Sequence, residues 1–535
     1  MRAIFFTLLL FIFGFGLGQD LVFVQFKDKP SAQQYFDNPQ LMLTQKALDR
    51  RAKYGIELNL QDVPVETNYI TQIENLSIEP VQISKWFNGI FAWCTDAQVA
   101  QLENLSFVLD VKSLVQNENA TIQQSKTDKF VEDFESVSDT DGTMDYTYGY
   151  THNQVTQLNL DYLHNLGFTG EGISIAILDN GFPGVNTAAG FQYMRDNGQI
   201  KDVYNFLHQD ENVYAHGTHG TVVLSTIGGY IANQFVGTAI DADFYLYVTE
   251  NPAHELPDEE ANWIAAAELA DYHGVDVINT SLGYNDFDDP RYDYSYSDMN
   301  GETTYISRGA QIAAEKGIMV VVSAGNSGNG DWHYITAPAD AKDVLTIGAV
   351  DENGNPAWFS SFGPSADGRI KPDVDAKGVS AAVIRPNGDI EYSNGTSFSS
   401  PIMAGAMACL IQAFPNLAPD YLREKVRQSA SLYDFPTDQM GYGIPNFENV
   451  HEACLGVLDF DKTYVRIVPN PTPGFLNILS DMPIEKMELM NVTGQIVQTF
   501  GATKSIDISV FPKGLYLLKV QLENGQVEIK KVIKK

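Results

Sequence analysis

Ile173-Ser174-Ile175-Ala176-Ile177-Leu178-Asp179-Asn180-Gly181 is an apolar run that stops on a carboxylate and a turn. A short strand without polar alternation is buried on both faces, which points to a parallel sheet layered between helices. The pattern returns at Phe244–Val248, Val275–Asn279, Ile318–Ser323 and Val344–Val350. Helices are signalled between these strands at Asp258–His273 and Glu302–Lys316, closed by Gly274 and Gly317. The expected fold is α/β, a doubly wound, mostly parallel sheet. Chemistry in such a sheet collects outside the carboxyl ends of the strands, where Asp179 falls.

The composition changes on both sides of this stretch. Before it, Leu21–Phe26 reads as a strand and Leu41–Arg51 as a helix. Thr95 with Gln98 forms a capping box, and Phe107–Val111 returns as a strand, so an α+β domain is expected. Asn117 to Asp145 is polar and acidic, as an exposed linker would be. After it, Val465–Val468, Phe475–Ile478, Lys486–Met490 and Gly514–Val520 are strand-like. They are broken by turn signals at Pro469-Asn470-Pro471 and Glu523-Asn524-Gly525. From Asp461 onward ten Lys or Arg face seven Asp or Glu, a net +3, against −37 for the rest of the chain. Met1-Arg2 and the apolar run to Gly18 read as a removed secretory leader, since the sequence turns polar at Gln19. The expected organisation is a leader (1–18), an α+β domain (19–116), an acidic linker (117–146), the α/β domain (147–458) and a small all-β module (461–535).

The whole chain bounds its partners. Its 535 residues carry 34 basic and 68 acidic side chains, a formal charge of −34. That argues against nucleic acid, whose phosphates need clustered Lys and Arg. No stretch beyond the leader is long enough to span a membrane. Cys94, Cys409 and Cys454 are too few for a disulfide framework and lack metal spacing. Free thiols and a single Cys409–Cys454 bridge both remain open.

Three motifs carry chemistry. Asp179 alone is an ordinary turn aspartate. His216-Gly217-Thr218-His219-Gly220-Thr221 holds two histidines three apart, which fit a metal pair, a general base at a helix start, or structure; the residues alone leave these open. Asn394-Gly395-Thr396-Ser397 runs from a glycine turn into a helix of small residues. That arrangement aims a serine at solvent over the positive end of the helix.

Together with Asn279-Thr280-Ser281-Leu282-Gly283, Val322-Ser323-Ala324-Gly325-Asn326 and the closing Gly441-Tyr442-Gly443-Ile444-Pro445-Asn446, these motifs resemble the subtilisin-like serine peptidases. They do so in wording and in the chain order Asp, His, Ser, over about 300 residues from Thr147 to Glu452. The resemblance implies a subtilisin-like fold and an endopeptidase acting through an acyl-enzyme. Ser397 would be the nucleophile, His216 its general base and Asp179 the residue that fixes the imidazole, with His219 structural. Asn326 and the Ser397 N–H would form the oxyanion hole. Ser281, Leu282, Gly283, Ala324 and Gly325 would border the substrate groove. Asn180 and Phe398-Ser399 depart from the commoner Thr or Ser and Met-Ala, which affects pocket shape rather than mechanism.

Asp20–Val115 resembles the inhibitory propeptide of this family. The tail resembles the C-terminal sorting domain of the type IX secretion route, through Pro469-Asn470-Pro471, Gly494, Gly514-Leu515-Tyr516 and the terminal lysines. The expected partners are protein or peptide substrates, the chain's own propeptide as inhibitor, and the secretion machinery. No cofactor is required. Calcium binding by loop carboxylates such as Asp286, Asp288 and Asp289 is conceivable, but no metal site is assigned. The alternative is a catalytically silent secreted binding protein that keeps the fold, since fold alone does not fix function.

Overall fold

The computed structural model describes residues 18–120, 134–136, 148–461, 465–480, 482–523 and 527–535. The expected leader, save Gly18, and most of the expected linker lie outside the described residues. The chain forms two compact units, Met1–His451 and Glu452–Lys535.

The first unit is built on seven strands: β1 (Ser174–Asp179), β2 (Ile200–Asn205), β3 (Asp243–Val248), β4 (Val277–Thr280), β5 (Met319–Ser323), β6 (Leu345–Val350) and β7 (Val374–Lys377). They lie in the order β7-β6-β5-β4-β1-β3-β2, and every neighbouring pair is parallel. All residues of β1, β4, β5 and β6 are buried, as their apolar runs require. The helices that position the site are α1 (His219–Gly228), α2 (Glu259–His273), α3 (Tyr305–Glu315) and α4 (Thr396–Ala413). The α3 helix starts three residues later than the sequence predicts, because Thr304 Oγ1 accepts from the Ser307 N–H and fixes the cap there.

The N-terminal domain is a four-stranded antiparallel sheet, ordered Gln82–Ser84, Gly89–Cys94, Asp20–Phe26, Val108–Ser113. Alternation along Asp20–Phe26 serves two cores. Val22, Val24 and Phe26 pack inward with Ile70, Ile73 and Leu102. Leu21 and Phe23 face the other way and join Trp263, Tyr305 and Ile306 of α2 and α3. Phe23 and Phe91 both lie 5.2 Å from the Tyr305 ring. The domain is thus continuous with the core of the α/β layer. Gly274, with φ +79°, closes α2, and a Cβ there would lie 2.6 Å from the Ala47 backbone nitrogen, so the docked helix Gln45–Tyr54 also demands glycine.

The second unit contains two sheets. One joins Val465–Val468, Phe475–Ser480 and Ser505–Asp507; the other joins Ile496–Phe500, Ile484–Met490, Gly514–Leu522 and Val527–Lys534. Leu476 and Ile478 of the first share a core with Met487, Leu489, Leu518 and Val520 of the second. From Val465 on, the described residues of this unit form an all-β module; its first residues end the helix Phe447–Asp461. Cys94, Cys409 and Cys454 are buried, and none is joined in a disulfide among the described residues.

Glu260 ties α2 to α3 through the Tyr294 hydroxyl at 2.6 Å and the Ile306 N–H at 3.0 Å. Burial pushes its carboxyl up to about 7, against the pull of those two donors. Below an unfolded value near 4.5 both states hold the proton; between there and about 7 only the folded state does. Stability should therefore fall as pH rises through that window, by about 1.4 kcal/mol per unit at most. Glu260→Gln keeps the Ile306 contact through its Oε1, with Nε2 donating to the Tyr294 oxygen, and does not titrate. Its melting temperature should be flatter than wild type from pH 5 to 7, and equal slopes in calorimetry would refute this.

Candidate active site

Asp179 is the last residue of β1 and is 1 % exposed. Its Oδ1 and Oδ2 lie 2.8 and 3.0 Å from Nδ1 of His219, and Oδ1 also accepts from the Asn180 N–H at 2.8 Å. The expected pairing of Asp179 with His216 is thus corrected by one His-Gly-Thr repeat. The reason is the helix start. Asn180 Oδ1 accepts from the N–H groups of His219 and Gly220, at 3.1 and 3.4 Å, and so pins the first turn of α1 beside the end of β1. Gly220 makes the approach possible: a Cβ there would meet the Gly181 carbonyl at 2.5 Å and the Asp179 Cβ at 3.1 Å.

His216 sits in the loop before α1 and turns away. Asn205 Nδ2 donates to its Nε2 at 2.8 Å, while Asn205 Oδ1 accepts from the Leu207 and His208 N–H groups. The His216 and His208 ring centroids lie 5.0 Å apart, with the rings tilted by 37°.

Ser397 stands in the first turn of α4. Pro401 has no N–H for the Ser397 carbonyl four residues back, and Ser281 Oγ donates to that carbonyl instead, at 3.0 Å. Asn279 Nδ2 donates to Ser281 Oγ at 3.0 Å, and Ser400 Oγ donates to Asn279 Oδ1 at 3.0 Å. This chain of bonds locks the end of β4 to α4. Asn326 Oδ1 accepts from both the N–H and the hydroxyl of Thr396, each at 2.9 Å, so its amide group is turned the other way. Gly395, at φ +155°, turns the chain into α4 in a backbone conformation that L side chains rarely adopt.

His219, Asn326 and Ser397 line one cavity of about 230 Å³, with Ser281, Leu282, Gly283 and Gly325 on its walls. Ala324 is not among the lining residues; it is fully buried and donates its N–H to the Ile347 carbonyl at 2.9 Å. The wall also contains Glu250, Glu255 and Thr336, which sequence reasoning missed. Glu250 follows the carboxyl end of β3, where the rule that located Asp179 could have found it. The Tyr284 hydroxyl donates to Glu250 Oε1, and the Asn251 N–H donates to Glu259 Oε1 at 2.6 Å. Glu250, Glu255 and Glu259 bring carboxylate oxygens within 4.8 Å of one another. Of the loop carboxylates Asp286, Asp288 and Asp289, to which no metal site is assigned, Asp289 pairs with Arg291 at 2.7 Å and Asp288 lies 3.1 Å from His254 Nδ1.

Residues 170–448 match the model of the Subtilase family. Residues 21–130 match the Peptidase S8 propeptide domain of Bacteroidota, and 466–535 match a secretion system C-terminal sorting domain. The sorting domain marks an exported chain, destined for the cell surface or the medium. Among the described residues no helix is long and apolar enough to cross a membrane. The chain is similar to serine protease AprX of Bacillus subtilis, at 29 % identity over 311 residues, 52 % of this chain and 66 % of that one. It is also similar to subtilisin Savinase of Lederbergia lenta, at 26 % identity over 55 % of this chain and 96 % of that one. Among solved structures, fervidolysin of Fervidobacterium pennivorans matches at TM-score 0.56 and 17 % identity, over 97 % of this chain and 76 % of that chain, a likeness of fold.

Proposed function

The chain belongs to the subtilase family, and from that premise we propose that it is an exported serine endopeptidase made as a precursor that its own N-terminal domain restrains. The observation that carries the mechanism is the His219–Asp179 pair, with His219 lining the same cavity as Ser397. A serine hydroxyl is a weak nucleophile until a neighbouring base takes its proton. His219, held through Nδ1 by Asp179, presents Nε2 for that purpose and returns the proton to the leaving amine. Asp179 keeps the tautomer and stabilises the imidazolium.

As Ser397 Oγ adds to the scissile carbonyl, negative charge develops on its oxygen. Asn326 Nδ2 and the Ser397 N–H receive that charge at the positive end of α4. Thr396 holds the Asn326 amide before substrate arrives, so little reorganisation is left for the reaction. Water then repeats the sequence on the ester and releases the acid. Ser281-Leu282-Gly283 and Gly325 supply groove walls for an extended peptide.

A fluorophosphonate reacts only with an activated serine. The mature enzyme should label stoichiometrically on Ser397, and Ser397→Ala should not label at all. A folded wild-type enzyme that stays unlabelled would favour the silent binding protein over the peptidase.

A further inference from the structure

Glu135–Ser136 forms a short strand antiparallel to Ile390–Ser393, with Glu135 opposite Tyr392 and Ser136 opposite Glu391. Ile390–Ser393 is itself the outer strand of a hairpin with Ala381–Ile384, and it leads through Asn394-Gly395 into Thr396-Ser397. The residue before the added strand, Phe134, packs against Val222, Ala381, Val383 and Phe398. The Arg385 guanidinium lies 4.2 Å over the Phe134 ring and is held by Glu391 at 3.2 Å. An aromatic ring gains from both contacts: apolar burial on one side and a cation over its face.

The seat is joined to the catalytic elements. Val222 belongs to α1, which begins at His219, and Phe398 follows Ser397 in α4. The Phe398 and His219 rings are 6.4 Å apart. Antiparallel pairing then sets direction. Moving from Ser136 toward Phe134 runs alongside Glu391 toward Ser393, and thus toward Ser397. A chain lying this way has its earlier residues at the serine, so Phe134 and its successors stand on the leaving-amine side of any bond presented there. At about 3.4 Å per residue, roughly four residues or fewer separate that bond from the aromatic seat.

We propose that the edge of Ile390–Ser393, with the seat formed by Val222, Ala381, Val383, Phe398 and Arg385, recognises an extended peptide beyond the scissile bond and selects an aromatic side chain there. Phe134 is this chain's own occupant, so self-cleavage leaves Phe134 on the mature enzyme. The inference rests on the peptidase reading above. In that cleavage Ser397 Oγ replaces the amine on the carbonyl carbon, the amine leaves with the proton carried by His219, and one water hydrolyses the ester. The new amino terminus belongs to the fragment that carries Phe134.

The test follows self-cleavage of the full-length wild type, Phe134→Ala and Phe134→Trp. Each mature product is also assayed on a short peptide p-nitroanilide, which has no residue beyond the bond. Phe134→Ala should slow self-cleavage about tenfold, Phe134→Trp should restore it, and all three should hydrolyse the p-nitroanilide equally. Mass spectrometry should find the mature amino terminus before Phe134. Wild-type self-cleavage by Phe134→Ala, or a terminus beyond Phe134, overturns the proposal. Failure of the wild type on the p-nitroanilide would instead strike the peptidase reading, and this inference with it.

Discussion

His219→Ala is expected to lower kcat on a peptide by roughly 10⁴- to 10⁶-fold, the scale set in subtilisin by removing one member of the triad. His216→Ala should change kcat by less than about tenfold, or 1.4 kcal/mol. The two histidines sit three residues apart, each opening a His-Gly-Thr triplet. Geometry separates them. His219 is buried with both Asp179 oxygens on its Nδ1, and it lines the cavity that Ser397 lines. His216 receives an amide proton on Nε2 from Asn205, which occupies the atom a general base would need. A double variant should be no slower than His219→Ala alone, because the base can be lost only once. The measurement is single-turnover hydrolysis with circular dichroism on each variant. A ten-thousand-fold loss in His216→Ala, with His219→Ala still active, would return the base to the first repeat.

This pair also marks the limit of what the sequence discloses. The sheet was legible because β1, β4, β5 and β6 are mostly apolar and buried throughout, and the ends of β1 and β5 fall at Asp179 and Ser323. The edge strands were not. β2, Ile-Lys-Asp-Val-Tyr-Asn, is half exposed, and polar residues break its pattern. In β7, Asp375 is fully buried, neither carboxylate oxygen is hydrogen-bonded among the described residues, and burial alone drives its pKa well above the ordinary range. No rule of apolar patterning expects a strand there. Ser397 and Asn326 could be named from their motifs, since a glycine turn into a small-residue helix is local. The choice between His216 and His219 could not, because Asn180, some forty residues away, fixes it. One signal was present: His219-Gly220-Thr221 runs straight into the apolar Val222-Val223-Leu224, as a helix start should.

Asp271→Ala should loosen the N-terminal domain from the α/β layer by about 10²- to 10³-fold, equivalent to roughly 3–4 kcal/mol, within the range for breaking a buried ion pair. Asp271, on α2, is fully buried between two arginines of the N-terminal domain: Arg50 at 2.5 Å and Arg51 at 2.9 Å. Arg51 also meets Asp62 at 2.9 Å, and Lys316 reaches Asp62 at 3.2 Å from the far side of the junction. Burial alone would raise the Asp271 carboxyl, but Lys85, Arg51 and Arg50 outweigh it and hold it below the usual carboxylate range. Removing the carboxylate leaves the buried Arg50 guanidinium without its ion partner and Arg51 with Asp62 alone, whereas a surface pair would lose less than about 1 kcal/mol. The effect is best read in full-length Ser397→Ala, where self-cleavage cannot remove the N-terminal domain. Thermolysin should cut that domain 10²- to 10³-fold faster in Asp271→Ala than in the parent, with the α/β layer still resistant. Arg50→Ala should act in the same direction, and the combined variant should cost less than the sum, since each change removes the other's burden. Additive costs, or single effects of a few-fold, would mean that the aromatic contacts of Phe23, Phe87 and Phe91 with Tyr305 hold the junction and the ions merely tolerate it.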